Sequence, residues 1–128
     1  MMLKKLIEVD EILKELVKRS SLTEVQWDTL LLNKSKDYSL EEKCRMRDVG
    51  KVTKGSFLRS YSQALDNCIK AIFTLITLDY LGLIKVGSIE GLARVSEMLE
   101  SVKGEEIDKD RVKAIIESLE RIVKEMVS

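Results

Sequence analysis

The sequence contains no histidine and no proline, and it has only six glycines and six aromatic residues among 128 positions. Because proline and glycine are the strongest helix breakers, little in this chain interrupts a helix. Scarce aromatics, and the lack of long runs in which β-branched and polar residues alternate, disfavour a sheet. Hydrophobic residues make up 45% of the chain and charged residues 34%, a balance typical of folded helical proteins. The composition therefore predicts an all-α protein of about one domain.

The same absences limit the chemistry. Without histidine the chain lacks the commonest general base, and it contains neither a phosphate-binding glycine loop nor a nucleophile elbow. Its two cysteines, Cys44 and Cys68, do not have the spacing of metal ligands, and we expect both to be reduced. Acidic pairs such as Glu41 and Glu42 lie at predicted helix starts, where they interact favourably with the helix dipole. We expect a protein that is not an enzyme and that uses no cofactor or metal.

No segment is expected to enter a membrane. The longest apolar stretch, around residues 71–84, is interrupted by Asp79 and bounded by Lys70 and Lys85, so it is too short and too charged to span a bilayer. The charged, amphipathic N-terminus is unlike a signal peptide. The sequence predicts a soluble, cytoplasmic protein.

Helical periodicity and capping residues predict the first three helices. Residues 2–19 place apolar side chains on one face and lysines and glutamates on the other, as an amphipathic helix does. Residues 23–26 form a capping box that opens a second helix, which fades near Lys34. Residues 39–42 form another capping box and open a short helix that continues to about Arg47.

A turn over residues 48–55, with Gly50 and Gly55 free to adopt positive φ, separates this short helix from a long fourth helix that begins between Thr53 and Ser56. Apolar residues in steps of three and four predict one buried face on the long helix. That face consists of Phe57, Tyr61, Ala64, Leu65, Cys68, Ile69, Ile72, Leu75 and Ile76. From Ile72 onward the helix is apolar on several sides, and a second copy of the chain is the natural cover.

The C-terminal part is predicted to contain two more helices. Gly82 is expected to terminate the long helix, with Leu83 and Ile84 packing back on it. A fifth helix over residues 88–102 is capped by Ser88, and Asp108 or Asp110 caps a sixth. We expect the long helix and the C-terminal helices over residues 88–127 to build a two-fold dimer interface. The predicted interface residues are Phe73, Ile76, Tyr80, Leu81, Leu119 and Ile122.

The second, third and fourth predicted helices are long, short and long, and a turn precedes the last of them. This order is typical of a helix-turn-helix. Four short motifs accompany this order. LT-x-x-Q-x-x-x-L is matched by Leu22, Thr23, Gln26 and Leu30. L-x-x-E-I-A is matched by Leu40, by Glu42 one place early and by Cys44 in place of the alanine. S-x-x-x-V is matched by Thr53 and Phe57, and A-x-x-N-I-x-x-A by Ala64, Asn67, Ala71 and Ile69, which is one place late. With these motifs, residues 22–74 resemble the helix-turn-helix of Tfx-type archaeal regulators and, more distantly, of LuxR and sigma-factor DNA-binding domains.

The resemblance implies sequence-specific binding of double-stranded DNA, and hence transcriptional regulation. The expected organisation is an N-terminal amphipathic helix in residues 1–21, the helix-turn-helix in 22–72 and a helical dimerisation region in 73–128. The sequence departs from the family in its turn, which is about three residues longer. Asp48 stands where the family has glycine, with Gly50 nearby.

The charge distribution agrees with this implication. Although the formal net charge is zero, residues 43–59 contain six cations and only one acidic residue, Asp48. Binding to DNA needs cations that displace counterions and a helix N-terminus presented to the major groove. If Phe57 faces the core, Arg59 and Gln63 face outward and can read guanine and adenine. The predicted DNA-binding residues are Arg45, Arg47, Lys51, Thr53, Lys54, Ser56, Arg59, Ser62 and Gln63.

Alternative interpretations remain open for several of these residues. Arg45 and Arg47 belong to a charge run that could simply solvate the short helix. Gln63 could pair with Asn67 one turn later, and Arg59 could pair with Asp66 or Gln63. The competing functional hypothesis is a helical protein–protein adaptor or assembly subunit that does not bind DNA, which the zero net charge favours.

Overall fold

A computed structural model describes residues 2–47 and 50–127, and this part of the chain is all-α, with seven helices and no strand. The chain divides into two compact units, with the boundary between Ile72 and Phe73. The helices are α1 (Met2–Val9), α2 (Glu11–Arg19), α3 (Glu24–Lys34), α4 (Leu40–Arg45), α5 (Lys54–Tyr80), α6 (Ser88–Val102) and α7 (Lys109–Met126).

The single helix predicted over residues 2–19 is wrong, because the chain breaks it at Asp10. This residue has an extended backbone, and its Oδ1 accepts a hydrogen bond from the Leu13 N–H at 2.9 Å. An aspartate that caps the N–H groups of a following turn favours a new helix start over continuation. The N-terminal segment is therefore a helix pair, α1 and α2, and α1 packs against α3 in the same unit.

The core of the first unit takes one buried side chain from each of three consecutive helices. Leu32 of α3, Cys44 of α4 and Phe57 of α5 are at most 3% exposed and lie in contact. Both predicted capping boxes are present at the starts of α3 and α4. Burying an aromatic ring between two neighbouring helices contributes on the order of 3 kcal/mol, so this cluster fixes how α3, α4 and α5 pack.

The connection from α4 to α5 is held by the backbone. The Val52 N–H donates to the Cys44 carbonyl at 3.1 Å, which ties the connection to the end of α4. Gly50 adopts φ +94°, as predicted. Gly55 does not, because it lies inside α5 and is helical. The prediction about Asp48 as the replaced turn glycine falls outside the described residues.

In the second unit, α5 ends in the predicted glycine motif. Gly82 has φ +70°, its N–H donates to the Asp79 carbonyl at 3.1 Å, and the Leu83 N–H donates to the Leu78 carbonyl at 2.8 Å. These two bonds form a Schellman motif. Ile84 is buried and its backbone forms an isolated antiparallel bridge with Val127, whereas Leu83 is exposed, which contradicts the prediction that Leu83 packs back on the helix.

Helices α6 and α7 form the rest of this unit. The residue preceding α6 is Gly87 at φ +83°, so the prediction that Ser88 caps this helix is wrong: Ser88 is its first residue and is buried. Asp108, not Asp110, caps α7 by accepting from the Arg111 N–H at 2.8 Å. Val112 and Ile116 are the buried residues of α7.

Two glycines provide a matched test of these backbone assignments. Gly82→Ala forces a side chain into the left-handed region and is expected to lower the free energy of unfolding by about 1–2 kcal/mol. Gly55→Ala is helical, with open space around the added methyl group, and is expected to leave stability unchanged or raise it by up to about 1 kcal/mol. Urea unfolding followed by circular dichroism measures both. Equal losses in the two variants would contradict the assigned end of α5.

Candidate nucleic-acid interface

Thr53 caps the N-terminus of α5. Thr53 Oγ1 accepts from the Ser56 N–H at 3.1 Å, and the Thr53 carbonyl accepts from the Phe57 N–H at 2.9 Å. The N–H groups of Lys54 and Gly55 lie in the first turn, where a helix offers them no internal acceptor. All four residues from Thr53 to Ser56 are exposed. This helix end therefore exposes N–H groups and the positive end of its dipole, a combination that favours anions.

A pair of amides joins α5 to α3. Asn67 Nδ2 donates to Gln26 Oε1 at 3.2 Å, and the same oxygen accepts from the Thr23 N–H at 3.1 Å. Gln26 thus completes the capping box of α3 and holds α5 at once. Asn67 donates to α3 rather than pairing with Gln63, which is exposed. Together with the buried Phe57, this bond fixes which residues of α5 point outward.

The prediction that Arg47 reaches a phosphate from the surface is wrong. Its side chain is 3% exposed, its Nε lies 3.5 Å from Oδ2 of Asp28, and its guanidinium sits 6.0 Å from the centre of the Phe57 ring. Asp28 is 1% exposed, and its Oδ1 accepts from the Leu3 N–H of α1 at 3.2 Å. Arg47 is therefore an internal residue that neutralises a buried carboxylate.

The other predicted DNA-binding residues are on the surface. Each cation among them is exposed, and none forms an ion pair with a carboxylate in the described part of the chain. These cations are Arg45, Lys51, Lys54 and Arg59. Thr53, Ser56, Ser62 and Gln63 are exposed as well. The bond between Val52 and Cys44 brings the lysine-bearing connection beside the end of α4, where Arg45 lies.

The residues predicted for the dimer interface fall into two groups. Four of them, on α5 and just after it, are strongly exposed, from Ile76 at 52% to Tyr80 at 88%. The other two, Leu119 and Ile122 of α7, are partly buried and line an apolar groove with Val95 and Met98 of α6. The remaining members of the exposed group are Phe73 and Leu81.

Sequence reasoning missed Asp28 as the partner of Arg47. The available signal was an acidic residue within the mainly apolar run of α3, because a carboxylate on a buried helix face needs a cation or hydrogen-bond donors. The Gln26–Asn67 bond was missed too, although both residues belong to the motifs that suggested a helix-turn-helix. Nothing in the local sequence indicates that residues 41 positions apart come into contact.

No group of acidic or cysteine side chains within residues 2–47 and 50–127 could hold a metal ion. Across the same residues, no helix combines the length and apolar character needed to cross a bilayer.

Arg47 and Arg45 allow a matched test of this arrangement. Arg47→Ala leaves the Asp28 carboxylate buried without its cation, and we expect it to lower the free energy of unfolding by about 3–5 kcal/mol. Arg45→Ala removes an exposed side chain and is expected to change stability by less than about 0.5 kcal/mol. Urea titrations of the two variants and the parent protein make the comparison. If both variants matched the parent, Arg47 would not have the internal role described.

Comparison of the chain with protein families, with characterised proteins and with solved structures finds no match.

Proposed function

We propose that this protein binds double-stranded DNA in a sequence-specific manner through the start of α5, and that it acts as a dimeric transcriptional regulator without catalytic activity. The observation that carries the proposal is the set of exposed cations around a presented helix N-terminus. Within the described residues, no carboxylate forms an ion pair with these cations, which are Arg45, Lys51, Lys54 and Arg59. Cations left unpaired in this way can displace the counterions that surround DNA.

The anchoring of α5 supports a reading role for its exposed side. Specific recognition requires a helix whose rotation is fixed, so that the same side chains meet base edges each time. Phe57 supplies that constraint from the buried face, and Asn67, one turn after Gln63, supplies it through its bond to Gln26. On the exposed side, Arg59 can form a bidentate contact with guanine, and Gln63 with adenine.

The remaining polar groups suit the DNA backbone. Lys51, Lys54 and Arg45 are exposed charges that can approach phosphates from the connection and from α4. The hydroxyl of Ser56 and the N–H groups of Lys54 and Gly55 can donate hydrogen bonds to phosphate oxygens. Such contacts position the protein, whereas Arg59 and Gln63 would select sequence. The order of helices and motifs that resembles known helix-turn-helix regulators favours the same interpretation.

A salt titration tests whether binding is electrostatic. Duplex DNA should be bound at low salt, and the logarithm of the association constant should fall linearly with the logarithm of salt concentration, with a slope of about −0.9 for each phosphate neutralised. Four exposed cations per chain predict a slope of about −3 to −4 for a single bound chain and of about −7 for a dimer whose two subunits both contact the duplex. Fluorescence anisotropy with a random-sequence duplex gives this slope.

The same titration discriminates the alternative function. The specific observation that favours a protein–protein adaptor is the exposed apolar side of α5, including Ile76 and Tyr80. A folded protein that binds no duplex even at low salt would exclude the DNA-binding proposal and favour the adaptor.

A second test addresses Arg59 itself. Arg59→Ala should weaken binding to a selected target sequence by about 1–3 kcal/mol and reduce discrimination at one base pair. Arg19→Ala is the matched control, because Arg19 lies on α2 and pairs with Glu15, away from the start of α5 in sequence. Selection from a random pool, followed by gel-shift titration of single-base variants, measures both effects. An unchanged base preference in Arg59→Ala would assign base reading to another residue.

A further inference from the structure

Helix α5 has two apolar faces, of which the structure covers only one. Phe57 and Ala64 are buried, and Tyr61 and Cys68 are partly covered. The sequence predicts that Leu65, Ile69, Ile72, Leu75 and Ile76 share this buried face. Leu75 is partly covered, and for the other four residues the prediction is wrong within a single chain. Leu65, Ile69, Ile72 and Ile76 are exposed by 40–60%. Leu58 is exposed as well.

The exposed residues follow a regular spacing along the helix. Seven exposed positions succeed one another in alternating steps of four and three, and we call them the outer stripe. The outer stripe consists of Leu58, Ser62, Leu65, Ile69, Ile72, Ile76 and Asp79. An alternation of four and three is the heptad spacing that keeps one seam of a helix facing a partner helix.

The outer stripe is large enough to support a stable complex. Its five apolar side chains are flanked by Phe73 at 63% and Tyr80 at 88% exposure. Seven side chains at this exposure offer on the order of 100 Å² each, so one helix presents roughly 700 Å² of mainly apolar surface, close to the about 800 Å² per partner of a standard interface. A contiguous apolar patch of this size on a protein of zero net charge favours association.

We propose that the outer stripe pairs with the same stripe of a second copy of this chain, in antiparallel orientation. With the two-fold axis between Lys70 and Ala71, Ile69 meets the partner's Ile72, and Leu65 meets the partner's Ile76. The two polar positions then face each other, because Ser62 lies opposite the partner's Asp79 and can donate its hydroxyl to that carboxylate.

The distribution of polar residues selects this orientation over the parallel one. In a parallel pair each residue faces its own copy, so Asp79 would oppose the partner's Asp79 within the seam, where like charges repel. Antiparallel pairing removes this repulsion and keeps four consecutive layers purely aliphatic. The six positions from Ser62 to Asp79 are therefore complementary to themselves when reversed, whereas Leu58 lies opposite position 83, beyond the end of the partner's α5.

A consequence for DNA rests on the proposed function above. Arg59 lies about 11.5 residues before the two-fold axis in each helix, so at 1.5 Å per residue the two Arg59 residues are separated by about 34 Å along the paired helices. That distance matches one turn of DNA, the spacing of two half-sites. Ser62 faces the partner in this arrangement and leaves the DNA surface, whereas Gln63 remains outside the seam.

The mass of the protein without DNA tests the pairing itself. Multi-angle light scattering should give twice the chain mass for the parent protein. Ile76→Asp places a charge in an aliphatic layer and should give the mass of a single chain. Thr74→Asp is the control, because Thr74 is exposed on the other side of the same helix and the variant should remain dimeric. A monomeric parent, or a dimeric Ile76→Asp, would overturn the proposal.

Cysteine cross-linking tests the orientation. Leu65→Cys and Ile76→Cys are made separately in a Cys68→Ser background, in which Cys44 is buried. The proteins are mixed, allowed to exchange subunits and oxidised. Antiparallel pairing yields disulfides mainly between the two different variants, identified by intact mass. Disulfides mainly between identical variants would show a parallel pair, and dimers with no cross-link would place the interface elsewhere; either result overturns the proposal.

These experiments separate the two proposals. Because they use no DNA, loss of DNA binding cannot produce their negative results. A monomer that binds duplex with the expected salt slope would retain the DNA-binding proposal and reject the pairing. A cross-linked antiparallel dimer that binds no duplex would do the reverse.

Discussion

The packing of Phe57 against Leu32 and Cys44 decides how the first unit presents its surface. An α-helix has one rotational setting once a bulky side chain on it is fully buried, because every other residue follows at 100° intervals. With the ring of Phe57 between α3 and α4, Arg59 and Gln63 must face outward. The Asn67–Gln26 bond ten residues later repeats the constraint, so the rotation set at the start of α5 persists for nearly three turns.

The ion pair of Asp28 and Arg47 has a different kind of importance. A buried ion pair adds little to the free energy of unfolding, because the cost of desolvating both charges offsets their attraction. It does, however, penalise any packing that separates the two groups. Asp28 also receives the Leu3 N–H, so α1, α3 and the segment after α4 are tied to a single carboxylate. The Arg47 guanidinium also lies over the ring of Phe57 in a cation–π arrangement, which links the ion pair to the apolar core.

Local signals in the sequence predict most of the helix boundaries. Capping boxes at Thr23 and Ser39, and the terminating Gly82, act through bonds within four or five residues, and the structure contains all three. Periodicity alone could not divide residues 2–19, because Asp10 fits an exposed position of a continuous helix as well as an N-cap. The burial of Arg47 could not be predicted from the sequence for a related reason. Arg45 and Arg47 are similar locally, and only the distant Asp28 distinguishes them.

The two apolar faces of α5 show where periodicity stops being informative. The sequence reveals that many positions of the helix are apolar, but not which of them the chain can cover by itself. Phe57 is covered by Leu32 of α3 and Cys44 of α4, whereas Leu65, Ile69 and Ile72 are exposed. A helix of 27 residues is about 40 Å long, and six residues of α4 can cover only a fraction of it. Because α5 is long, part of it is exposed. For the same reason, the cations at its N-terminus and its exposed isoleucines lie on one continuous helix. In an antiparallel pair, the register of those isoleucines would therefore fix the distance between the two sets of cations.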